Sequence, residues 1–198
     1  MRLSILQYGN PVLRAKGQPI DKIDNRIREL AQNMIETMHA ANGIGLAGQQ
    51  VGEPLQLTVI DISQVEDRPS TMKLQGQDVD PKTTMPLILI NPQIKLGKEN
   101  AIGTEGCLSF PEITGEIERA KSVNVRAETL ENKTIEIEAT GLLARALQHE
   151  ADHLNGILFV DRMSSAAKAS LSSRLKRLQK ETKRGAKDRP APVGQPAL

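Results

Sequence analysis

Between Ser122 and Gly156 the spacing of apolar residues changes from every second position to every third or fourth. "SVNVRAETL" and "TIEIEAT" alternate apolar with polar residues and are joined by Glu131-Asn132-Lys133. That is the pattern of an antiparallel hairpin with one face in water. "GLLARALQHEADHLNG" then places Leu142, Leu143, Ala146, Leu147, Glu150 and Leu154 at helical steps, with Thr140 as the expected N-cap and Asn155-Gly156 as the stop. A helix with such a seam, following directly on strands, must bury it against the sheet. The chain is therefore expected to be α+β, with antiparallel and mixed sheets packed around this central helix.

The remaining segments extend that reading. Asp24 to Gly43 has apolar residues at three- and four-residue steps and predicts a helix. Leu55–Ile62 and Pro86–Ile94 predict strands, and the polar, Gly- and Pro-punctuated stretch between them predicts a long surface loop. Ser165 to Lys183 predicts a peripheral helix with Leu171, Leu175 and Leu178 on one side, followed by the Pro-rich "RPAPVGQPAL", which is expected to be frayed. Residues 1–163 are thus expected to form one catalytic domain and residues 164–198 a basic helix and tail. From Ser164 to Leu198 nine basic residues face two acidic ones, so the tail carries +7 while the rest of the chain carries −5. Such an asymmetry points to an interaction with an acidic partner rather than to a fold. The single cysteine, Cys107, excludes an intramolecular disulfide framework, and no stretch approaches the roughly 20 apolar residues of a membrane span. The first residues carry too short an apolar run for a signal peptide, so a cytoplasmic protein is expected.

The chemistry sits in "QHEADH", Gln148 to His153, which contains H-E-x-x-H. On a helix His149 and His153 project from one face one turn apart and can bind a single ion, while Glu150 between them can take a proton from water at that ion. A catalytic metal needs a third protein ligand. In the extended motif HExxHxxGxxH the next ligand position falls here on Phe159, which cannot bind a metal. Asp161 is a weak downstream candidate. Cys107, the only thiol in the chain, is the stronger one, since a thiolate is a good ligand for Zn²⁺ or Fe²⁺ and Gly106 lets its backbone approach.

"GIGLAGQQ" (43–50), "EGCLS" (105–109) and "QHEADH" (148–153), in that order, resemble the three signature motifs of the bacterial peptide deformylases, and "ILQYGNPVLRAK" resembles the start of that family. The resemblance implies a metallo-amidohydrolase that removes the formyl group from the N-terminal methionine of nascent chains. It implies Cys107, His149 and His153 as metal ligands and Glu150 as general acid and base. The side-chain amide of Gln50 and the backbone N–H of Leu108 would donate to the oxyanion. An extended peptide would add as a strand beside Gly43, Ile44 and Gly45, with its methionine in a pocket formed by Ile44, Leu108, Leu142 and the surroundings of His149. Fe²⁺ is the implied ion, with Zn²⁺ or Ni²⁺ as substitutes, in a protein expected to be a monomer. The basic tail is expected to contact ribosomal RNA. A metallo-endopeptidase using Asp161, and a ribosome-binding protein with a structural metal, are the competing readings.

Two positions depart from the family pattern. The family's first motif commonly ends A-A-P-Q or A-A-x-Q, whereas here it reads Ala47-Gly48-Gln49-Gln50, and Gly48 is expected to loosen the loop before Gln50. Arg145 stands on the motif helix where an apolar residue is common, and its charge must reach solvent or pair with a carboxylate.

Overall fold

The computed structural model describes residues 1–187, so the Pro-rich stretch at 189–198 lies outside the described residues. Nine strands and five α-helices are found among them. The first helix, α1 (Asn25–Ala40), is capped by Asp24, whose side chain accepts from the Ile27 N–H at 3.0 Å. Strands β1 (Gly45–Ala47), β2 (Leu57–Ile60), β3 (Met72–Leu74), β4 (Gln77–Val79), β5 (Leu87–Leu96), β8 (Ser122–Glu128) and β9 (Thr134–Thr140) form one antiparallel sheet in the order β1-β2-β5-β8-β9-β3-β4. Strands β6 (Asn100–Gly106) and β7 (Thr114–Ala120) pair as a separate two-stranded ribbon. The motif helix, α2 (Gly141–Leu154), is followed by the short α3 (Phe159–Arg162), then α4 (Ser165–Ser170) and α5 (Ser172–Lys187).

The core explains this layering. Along β2, Leu57 and Val59 pack with α1, while Ile60 packs with α2, so the strand is buried on both faces and the sheet lies between the two helices at that end. The hairpin β8–β9 keeps its expected alternation: Val123, Val125, Ala127, Ile137 and Ala139 are buried under α2, and Asn124, Arg126, Glu136 and Glu138 are exposed. A third cluster gathers Leu13, Phe110, Ile117, Phe159, Met163 and Leu175, which seats α5 on the body through Leu175. No helix among the described residues is long and apolar enough to cross a membrane.

Two expectations are corrected, and one element lies outside them. The stretch read as a surface loop contains the hairpin β3–β4, whose turn residues Gln75 and Gly76 both have positive φ (52° and 78°), and β3 extends the main sheet by pairing with β9. The ribbon β6–β7 had not been anticipated. The peripheral helix is broken at Leu171, where the Ser170 hydroxyl bonds back to the Ala167 carbonyl at 2.7 Å and competes with helical pairing.

Candidate active site

The motif helix brings His149 and His153 to the mouth of β6, and the chain leaving β6 at Gly106 delivers Cys107 to the same point. The Cys107 sulfur and one nitrogen of each imidazole lie within 4.8 Å of one another. Cys107 Sγ is 3.3 Å from His153 Nε2 and accepts from Gln50 Nε2 at 3.4 Å. The Gln50 amide is itself oriented. Its Oε1 accepts from the Ala47 N–H at 2.8 Å, and its Nε2 also reaches Ser109 Oγ at 3.3 Å. His149 Nδ1 is held by Glu105 Oε2 at 3.0 Å, which leaves Nε2 as the nitrogen that could hold an ion. His153 Nδ1 is buried with no hydrogen-bond partner among the described residues.

The electrostatics ask for a cation. Burial works against charge on His149, yet the Cys107 sulfur and the Glu105 and Glu150 carboxylates carry its pKa well above the ordinary value. Burial and the neighbouring His149 and Arg119 push His153 well below it. Carboxylates of Glu105 and Glu150 on either side of His149 make surroundings that would favour a bound cation. A soft sulfur, two imidazoles and this field fit a divalent transition-metal ion, while the donor set does not choose between iron, zinc and nickel. Burial raises the Glu150 carboxyl to about 7 against the opposing pull of His149 and a 3.4 Å hydrogen bond from Thr58 Oγ1. A proton acceptor with that pKa suits transfer near neutrality.

Beneath the ligands lies a buried ionic network. Arg119 binds both oxygens of Glu105 at 2.9 and 3.0 Å and reaches Asp152 Oδ2 at 2.5 Å, and Asp152 is also paired with Arg162. Burial alone would raise the Glu105 carboxyl, but His149 and Arg119 hold it at about 2. Glu105 stays ionised, and the tautomer of His149 is fixed.

A cleft of about 490 Å³ opens beside the three donors, and Gly43, Ile44, Gly45, Gln50, Leu108, Leu142, Glu150, Cys107 and His149 all face it. β1 is the terminal strand of the sheet, paired only with β2, so its other edge is available to an extended chain. No hydrogen bond from the Leu108 N–H is made within the described residues.

Asp161 is excluded as a ligand. It is paired with Arg14 and accepts from the Leu158 N–H at 2.9 Å at the start of α3. Gly48 does not loosen its loop: it is buried in a 3-10 turn, Gly48–Val51, and a Cβ there would overlap the Glu53 carbonyl oxygen. Arg145 pairs with Glu105 Oε1 at 2.9 Å, which meets the requirement that its charge find a carboxylate. The sequence did not single out Thr58, Ser109, Arg119 or Asp152. Glu105 was within reach, since it opens the "EGCLS" segment two residues before the thiol.

The family model described as polypeptide deformylase matches residues 2–169. A peptide deformylase of Opitutus terrae is 42% identical over 193 residues, spanning 96% of this chain and 100% of that one. One of Bartonella quintana is 43% identical over 173 residues, 87% of this chain and 90% of its own. Among solved structures, a plant peptide deformylase superposes with a TM-score of 0.81 at 34% identity, covering 96% of this chain and 95% of that one. The Thermotoga maritima enzyme gives 0.70 at 37% identity, covering 83% and 99%.

Proposed function

The chain belongs to the polypeptide deformylase family, and from that premise we propose that it hydrolyses the N-formyl group from the methionine of newly synthesised proteins, releasing formate. The observation that carries the reading is the convergence of Cys107, His149 and His153 donor atoms within 4.8 Å beside Glu150 and Gln50. These three residues would hold one divalent ion, Fe²⁺ natively with Zn²⁺ or Ni²⁺ able to replace it. The ion would supply a nucleophilic water at neutral pH and polarise the formyl carbonyl.

The protein's own groups divide the remaining work. Glu150 takes the proton of the attacking water and hands it to the leaving amine. Gln50 Nε2 and the Leu108 N–H donate to the developing oxyanion, each such donor contributing on the order of 10²- to 10³-fold in rate. The β1 edge at Gly43, Ile44 and Gly45 hydrogen-bonds the extended substrate, and Leu142 with Ile44 and Leu108 receives the methionine side chain. Residues 1–163 form the metal-dependent domain, and the basic residues of α5 within 164–198 face ribosomal RNA, with the enzyme acting as a cytoplasmic monomer.

The test is formate release from formyl-Met-Ala-Ser by anaerobically purified protein, with metal content measured on the same sample. Wild type should turn over with one ion per chain, C107S should lose the ion, and E150Q should keep it and lose turnover. Full activity in either variant would remove the assignment.

A further inference from the structure

We propose that Arg145 is a positioning residue that locks the two halves of the metal site together, a proposal that rests on Cys107, His149 and His153 being the ligands. The ligands arrive on two separate elements. Cys107 leaves the end of β6, and both histidines stand on α2. Arg145 lies one turn before His149 on α2 and reaches across to the ribbon. Its Nη1 donates to Glu105 Oε1 at 2.9 Å, to the Ile117 carbonyl at 2.9 Å and to the Gly103 carbonyl at 3.3 Å, and its Nη2 donates to the Ala101 carbonyl at 2.9 Å. One planar guanidinium therefore binds a carboxylate and three backbone carbonyls of β6 and β7.

The sequence of β6 makes room for this. A Cβ at Gly103 would stand 3.0 Å from Arg145 Nη2, 3.1 Å from Cζ and 3.3 Å from Nε, so the guanidinium lies against bare backbone that a side chain would obstruct. The other ties between α2 and the ribbon engage other parts of it. Gln148 grips the N–H and carbonyl of Ala120 on β7, and Arg119 links Asp152 to Glu105 only through side chains. Arg145 alone among these grips the backbone of β6, the strand that leads into the thiol. It also shares Glu105 with His149: Oε1 accepts from Arg145 while Oε2 holds His149 Nδ1. Without Arg145, Glu105 keeps Arg119 and His149 as partners, so the fold should survive while the strand leading into Cys107 loses its backbone anchor to the helix.

Co²⁺ provides a readout independent of turnover, because sulfur ligation gives an intense near-ultraviolet band and the ion's loss to excess chelator can be timed. Wild type should bind one Co²⁺ with that band. R145Q should release it ~10- to 100-fold faster, the usual range for disturbing groups that orient metal ligands. R145K, which restores charge at Glu105 but not the fan of carbonyl contacts, should fall between them. G103A, which keeps the arginine and crowds it off the strand, should shift in the same direction. Melting of the metal-free proteins should differ by only a few degrees. Release from R145Q at the wild-type rate would overturn the proposal. If R145Q does not fold, G103A decides, and wild-type release from G103A would overturn it equally. Failure of wild type to bind Co²⁺ through sulfur would instead remove the metal site itself, and this proposal with it.

Discussion

Glu150 and Gly45 share one volume: a Cβ at Gly45 would overlap Glu150 Oε1 and stand 2.8 Å from Cδ. The glycine of β1 is therefore as much a seat for the carboxylate as an opening for substrate. G45A should displace Glu150 and lower kcat by about 10²-fold or more, the ordinary contribution of a positioned acid–base group. Metal content should stay at the wild-type level. A G45A enzyme within threefold of wild type in kcat would show that the carboxylate tolerates the shift.

Gly48 is packed as tightly, but against backbone. G48A pushes a methyl group into the Glu53 carbonyl, which lies in the turn that returns to Gly48 through a 2.9 Å Glu53 N–H to Gly48 carbonyl bond. Overpacking of this kind costs about 1–3 kcal/mol. The expected outcome is a lower melting temperature for the metal-free protein. An unchanged melting temperature would mean that the segment carrying Gln50 yields freely.

Arg14 and Asp161 join the N-terminal segment to α3. Burial would raise the Asp161 carboxyl, but Arg14 and the Leu158 N–H outweigh it and hold it below its ordinary 3.8. A depressed folded pKa contributes stability above the unfolded value and loses it as pH falls through the folded one. D161N should therefore destabilise at pH 6 by about 1 kcal/mol or less, since the pair is partly exposed. The gap to wild type should narrow below pH 3.8. Urea unfolding across pH 3 to 7 measures this, and a gap that is constant down to pH 3 would rule out the ion pair as its source.

Lys176, Lys180, Lys183 and Arg184 lie close together along α5, whereas Leu175 secures the helix to the core. Reversing charge at Lys180, Lys183 and Arg184 leaves that anchor intact. Ribosome binding by the variant should weaken at low salt, and the slope of log K against log salt should flatten by about 2, as expected for losing three phosphate contacts. Deformylation of a short formyl peptide should be unaffected. Binding that kept the wild-type slope would dissociate α5 from RNA contact.

Elements with a strong period could be read from the sequence. The seams of α1 and α2 and the alternation of β8 and β9 are dictated by burial on one face, and burial leaves a repeating trace. The ribbon β6–β7 left none, because Gly103, Gly106 and Gly115 stand where alternation would show, and Gly103 is there to admit Arg145. The hairpin β3–β4 escaped for a different reason. Its strands are three residues each, and the turn uses Gln75-Gly76 in place of the more familiar Asn-Gly. At the site, the three donors and Glu150 were visible as residue types at chemical spacing. The groups that orient them were not, since Arg119, Asp152 and Thr58 are ordinary residues whose meaning comes only from where the chain carries them.

The chain has no tryptophan and only three Phe or Tyr rings, and all three meet in one cluster: Tyr8 stacks on Phe110 at 4.8 Å and Phe110 meets Phe159 edge to face at 5.0 Å. Phe159 in turn neighbours His149 at 6.2 Å. Tyr8, the single tyrosine, thus dominates the protein's intrinsic fluorescence, and two rings separate it from the candidate ligand His149. Its emission is free of energy transfer to indole, so a single optical signal from the unlabelled protein reports on this one corner, and with it on the packing behind the site.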